Sequence, residues 1–108
     1  MRENEYHSGL IKRIKDKFPD ALFLKNDPSY KQGIPDLTVL WKDKWAALET
    51  KRSAKATHRP NQDYYVEKMN AMSFSSFIFP ENEQEVLDAM EQSFQGSARR
   101  SSRSVRGK

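Results

Sequence analysis

The chain has 108 residues, the length of a single domain. It carries 19 Lys and Arg against 15 Asp and Glu, a formal charge of +4, but residues 95–108 hold five basic side chains and no acid, so residues 1–94 come to −1. The absence of cysteine excludes a disulfide framework, a thiolate nucleophile and Cys-ligated metal, and two histidines, His7 and His58, are too few for a His-rich metal site. No apolar run approaches the roughly 18 residues that span a bilayer. The polar, acidic stretch Met1–Glu5 does not read as a signal peptide, so the expectation is a small cytoplasmic domain.

In chain order, residues 6–18 read as an amphipathic helix, with Leu10, Ile11, Ile14 and Phe18 at helical spacing and Pro19 ending the run. Ala21–Lys25 is a short strand, and Asn26–Pro35, rich in Pro, Asn, Asp, Ser and Gly, is a loop. Leu37–Trp41 and Trp45–Lys51 form a hairpin across a Lys-rich turn. Arg52–Arg59 is a basic loop. Pro60 opens a second helix, where its fixed φ and missing N–H suit the first turn. Ser73–Phe79 is a fourth strand and Glu81–Phe94 a third helix, whose early acids suit the helix dipole. Residues 95–108 are a basic Ser/Arg tail, expected to be disordered. The order α β β β α β α predicts one α/β domain over residues 1–94, a mixed sheet flanked by helices. Trp41, Trp45, Tyr64 and Tyr65 read as core or dimer-interface residues, and Met69 and Met72 as core.

The chemistry concentrates in Gly33-Ile34-Pro35-Asp36 and, thirteen residues after Asp36, Glu49-Thr50-Lys51. Side chains alternate along a strand, so Glu49 and Lys51 share a face. With Asp43-Lys44 as the turn, Asp36 faces Lys51 and Thr38 faces Glu49. Asp36, Glu49 and Lys51 then converge at one end of one sheet face, while Leu37, Val39, Trp41, Ala46 and Leu48 collect on the other as core. Two close carboxylates repel, and a hard divalent cation such as Mg²⁺ relieves that repulsion while keeping waters and substrate phosphate in its shell. A lysine beside such an ion can orient the attacking water or help carry developing negative charge. Against this stands the ordinary reading of an ExK strand end as a surface ion pair.

Pro35-Asp36 followed by Glu49-Thr50-Lys51 resembles the PD-(D/E)xK nuclease signature. With Gly33-Ile34 ahead of it and Gln62 on the next helix, the pattern is similar to the small virus-type replication-repair nuclease group found in phages and bacteria. The resemblance covers residues 1–94 and implies a restriction-endonuclease-like core. It also implies an Mg²⁺-dependent DNA endonuclease in which Mn²⁺ substitutes, often a homodimer, with some members acting on branched DNA such as a Holliday junction; a phage-encoded member would work in the host cytoplasm. It assigns catalysis to Asp36, Glu49, Lys51 and Gln62, with Gln62 holding a water or phosphate near Lys51.

Such nucleases take a further acid from the first helix. At about 100° per residue, Glu3 and His7 fall on the apolar face and Glu5 opposite, so Glu3 is the chosen third metal ligand. Lys25, Lys31, Arg52, Lys55 and Arg59 flank the site in sequence and are the candidate DNA contacts. His7 reads as a packed helix residue able to approach the site. The competing function is a DNA-binding module without catalysis, or a nonspecific or nicking nuclease that needs a partner. A pure binder would need no metal and would show steep salt dependence.

Overall fold

The computed structural model describes residues 2–104, with side chains described as far as Gly96. Three helices and four strands follow in the expected order: α1 (Glu3–Lys17), β1 (Leu22–Lys25), β2 (Leu37–Trp41), β3 (Lys44–Thr50), α2 (Pro60–Met72), β4 (Phe74–Ile78) and α3 (Glu83–Ser104). The side chains beyond Gly96 and residues 105–108 lie outside the described residues, but the backbone of residues 95–104, expected as disordered tail after a helix ending at Phe94, continues α3. The strands form one sheet in the order β1-β2-β3-β4, antiparallel except for the parallel β3–β4 pair. This is an α/β domain with a mixed sheet.

Helical spacing on α1 and α3 supplies one side of the core. Tyr6, Leu10 and Ile14 of α1 and Val86, Leu87, Met90 and Phe94 of α3 bury against Leu37 and Val39 of β2, Ala46 and Leu48 of β3, and Ile78 of β4. Phe18 stands edge-on to both Trp41 and Phe94, at 5.3 and 5.5 Å between ring centroids, and closes the far end of this layer. The opposite face carries α2, which contributes no fully buried side chain. Met72 is exposed rather than core, and Tyr64 is 54% exposed. Leu22 and Leu24 are likewise exposed on the edge strand β1. No described helix is long and apolar enough to cross a membrane.

The hairpin register differs from the expected one by two places. Trp41 pairs with Lys44 and Leu37 with Leu48, so the turn is Lys42-Asp43 rather than Asp43-Lys44. Lys42 accepts a left-handed conformation (φ 58°) to close it. Thr38 therefore faces Ala47, not Glu49, and continuing the register puts Asp36 opposite Glu49, not Lys51. A shift of two preserves the side-chain alternation, so every residue stays on its expected face.

Glu83 ties α3 to α1. Its carboxylate accepts bonds from Tyr6 Oη (2.8 Å), Arg13 Nε (2.6 Å) and Arg13 Nη2 (2.9 Å). Burial pushes the Glu83 carboxyl up, but the Arg13 and Tyr6 hydrogen bonds outweigh it and hold the group below its ordinary value. A depressed carboxylate stabilises the fold above its unfolded pKa, and that contribution is lost as pH falls through the folded value. Glu83→Ala is expected to cost about 1–3 kcal/mol in urea unfolding at pH 7, because Tyr6 Oη is left unsatisfied. The difference from wild type should shrink in acid.

Candidate active site

Asp36, Glu49, Lys51 and Gln62 meet at one end of the sheet, in the wall of a cavity of about 740 Å³. Glu49 and Lys51 leave β3 on the α2 side and are nearly sealed from solvent, at 4% and 7% exposed. Gln62, in the first turn of α2, stands over both. Its Nε2 donates to Glu49 Oε2 at 3.1 Å, and its Oε1 accepts from Lys51 Nζ at 3.0 Å and from the Arg59 backbone N–H at 3.1 Å. An ammonium and a backbone N–H can only donate, so the amide oxygen must face them and the NH₂ must face the carboxylate. Gln62 thus caps its helix and fixes the spacing of the acid and the base. Lys51 Nζ lies 3.9 Å from Glu49 Oε2.

Asp36 is held from the other side of the sheet. Thr50 follows Glu49, so its side chain points into the α1–α3 layer, where it is fully buried. Its Oγ1 donates to Asp36 Oδ2 at 2.7 Å, and its backbone N–H reaches Asp36 Oδ1 at 3.3 Å. His7 Nδ1 lies 3.2 Å from the same Oγ1. Continuing the β2–β3 register sets Pro35 opposite Thr50.

Electrostatics match this crowding. Burial raises the Asp36 carboxyl above its ordinary value, against the hydrogen bonds from Thr50 and the charge of Lys51, which pull it down. Burial, reinforced by the Asp36 charge and more weakly by Glu3, pushes Glu49 up to about 8 despite Lys51. Two acids whose charges oppose each other in a sheltered cavity form a donor set that suits a hard divalent ion. Among the described residues, no group of three or more His, Cys, Asp or Glu is assembled to hold a metal.

Glu3, the first residue of α1, lines the cavity, whereas Glu5 turns back to accept the Arg2 N–H. Of the basic candidates, Arg59 lines the main cavity and Lys25 an adjoining one of about 460 Å³. Lys31 lies 5.9 Å over the Tyr65 ring, and Arg52 and Lys55 are exposed on the β3–α2 loop without lining either cavity.

Residues beyond the sequence reading also build the site. Asn26 donates to Pro35 O and to Thr38 Oγ1, both at 2.9 Å, and so pins the loop to the start of β2. Gly33 has φ +92°, and a Cβ there would lie 2.7 Å from the Asn61 side chain and 2.9 Å from its backbone. The glycine lets the loop touch the first turn of α2 and close the cavity. Gly33→Ala is expected to lower stability by about 1–3 kcal/mol from backbone strain alone, with more from the clash. Thermal unfolding of the variant beside wild type checks this. No signal local to Asn26 or Asn61 could have exposed them, because their partners are distant in sequence. Comparison with models of known protein families, with curated proteins and with solved structures returns no match.

Proposed function

We propose that the chain is a divalent-metal-dependent DNA endonuclease of the PD-(D/E)xK kind, with a restriction-endonuclease-like core. Mg²⁺ is its working ion and Mn²⁺ a substitute. The observation that carries this reading is the joint placement of Asp36, Glu49, Lys51 and Gln62 on one cavity wall, with Gln62 bonded to both Glu49 and Lys51. Asp36 and Glu49 would hold the ion, with Glu3 at the cavity wall as a further carboxylate, and the bound ion would supply an acidified water and charge neutralisation at the scissile phosphate. Lys51 keeps its ammonium on the side where negative charge builds during attack and orients the water. Gln62 keeps Lys51 from collapsing onto Glu49.

The substrate is DNA, of branched form such as a Holliday junction. Contacts from Arg59, Lys25, Lys31, Arg52 and Lys55 to phosphates would carry no base information, which favours reading by shape. The exposed Leu22, Leu24 and Met72 are apolar surface that a second copy of the chain would cover, consistent with a homodimer cutting two strands in the cytoplasm. Labelled four-way junction, flap, single strand and plain duplex, each incubated with Mg²⁺, test the proposal. Cleavage of the junction at least about tenfold faster than duplex is expected, a difference of about 1.4 kcal/mol in barrier. Equal rates on all four would make the enzyme a nonspecific nuclease. Salt-sensitive binding without cleavage in any metal would make it a binding module.

A further inference from the structure

A buried chain of hydrogen bonds reaches Asp36 from the layer opposite the cavity. Thr50 Oγ1 has one proton, and its 2.7 Å bond to Asp36 Oδ2 uses it, since a carboxylate can only accept. The same oxygen must therefore accept from His7 Nδ1 at 3.2 Å, which fixes the proton of the ring on Nδ1. His7 is 7% exposed, and its Nε2 is buried with no partner among the described residues. Leaving a buried ring nitrogen unsatisfied is costly. The packing tolerates this cost and keeps the imidazole turned toward Thr50.

We infer that His7 and Thr50 are positioning residues that fix the Asp36 carboxylate for the metal, acting from the core side of the sheet. This rests on the nuclease reading of the site. His7 holds the lone pair of Thr50 Oγ1, so the hydroxyl can point only at Asp36 Oδ2. The Thr50 backbone N–H holds Oδ1. Both oxygens of Asp36 are thereby set before any ion arrives, while Gln62 sets Glu49 independently from the α2 side. On this reading the middle residue of Glu49-Thr50-Lys51 is not a spacer: its hydroxyl orients one carboxylate while its neighbours supply the other carboxylate and the cation. Outer partners of this kind typically contribute 10- to 100-fold to metal affinity.

The test joins a metal-free measurement to direct binding of Mn²⁺ alone. In metal-free wild type at alkaline pH, ¹⁵N spectra of His7 should show the proton on Nδ1. In Thr50→Val, which keeps the buried shape and removes the hydroxyl, calorimetry should show Mn²⁺ affinity lower by about 10- to 100-fold. Thr50→Ser, which restores the hydroxyl, should lie within a few-fold of wild type. Melting curves establish that each variant is folded. If Thr50→Val does not fold, Thr50→Ser and His7→Phe are compared with wild type instead, and His7→Phe should show the loss. A proton on Nε2 in wild type, or wild-type Mn²⁺ affinity in folded Thr50→Val or His7→Phe, overturns the inference. Failure of the nuclease reading is a separate result: wild type that binds Mn²⁺ through this arrangement but cuts no DNA.

Discussion

Lys51→Ala is expected to lower the Mg²⁺-dependent cleavage rate by about 10²–10³-fold, the usual loss when one preorganised donor to developing negative charge is removed. The fold should persist. Lys51 is buried beside Glu49, and deleting one partner of a buried ion pair ordinarily leaves an uncompensated charge. Here Glu49 titrates at about 8, so at pH 7 without metal its carboxyl already holds a proton and no bare charge is left behind. Lys51→Arg should not restore the rate, because a planar fork cannot take the place of a compact ammonium in the space under Gln62. Single-turnover cleavage with wild type and both variants, alongside circular dichroism, checks the claim. A folded Lys51→Ala that cuts at the wild-type rate would remove Lys51 from the mechanism.

The second large effect is on pH and metal together. Glu49 must lose its proton to ligate an ion, and burial, helped by the Asp36 charge, keeps that proton on up to about pH 8. Apparent Mg²⁺ affinity should therefore rise about tenfold per pH unit between pH 6 and 8, then level off, as expected when a proton and a metal compete for one ligand. The stability of the metal-free protein should move the other way. The folded state binds a proton that the unfolded state releases near its ordinary value of 4.5, so stability falls as pH rises from there to about 8. Added Mg²⁺ should raise the melting temperature most at the alkaline end. Thermal unfolding with and without Mg²⁺ from pH 5 to 9 measures both slopes. A melting temperature that rises with pH across that window in the absence of metal would contradict the assignment of Glu49.

Much of this arrangement was legible because it depends on periodicity. Alternation along β2 and β3 alone sorts Leu37, Val39, Ala46 and Leu48 to the core and Asp36, Glu49 and Lys51 to the other face, and a register wrong by two places leaves the sorting intact. Helical spacing likewise placed His7 on the buried side of α1, while Glu3 reaches the cavity wall but stays exposed. The turn was misplaced because the sequence Lys42-Asp43-Lys44 contains no glycine or asparagine to mark the left-handed position, and Lys42 takes it. The exposure of Tyr64 and Met72 was not legible, since an aromatic or Met on a helix reads as core until the helix is seen to lie on the open side of a sheet. Thr50 was overlooked although alternation turns it inward. A hydroxyl sent into a core needs a partner, and that partner is Asp36.

The most direct measurement is the time course of a labelled four-way junction with wild type and Asp36→Asn, each in Mg²⁺ and in excess chelator. The site described here predicts product from wild type in Mg²⁺ only, with chelator abolishing it and Asp36→Asn folded but inactive. Product formed by wild type in chelator, or by Asp36→Asn at the wild-type rate in Mg²⁺, would contradict it.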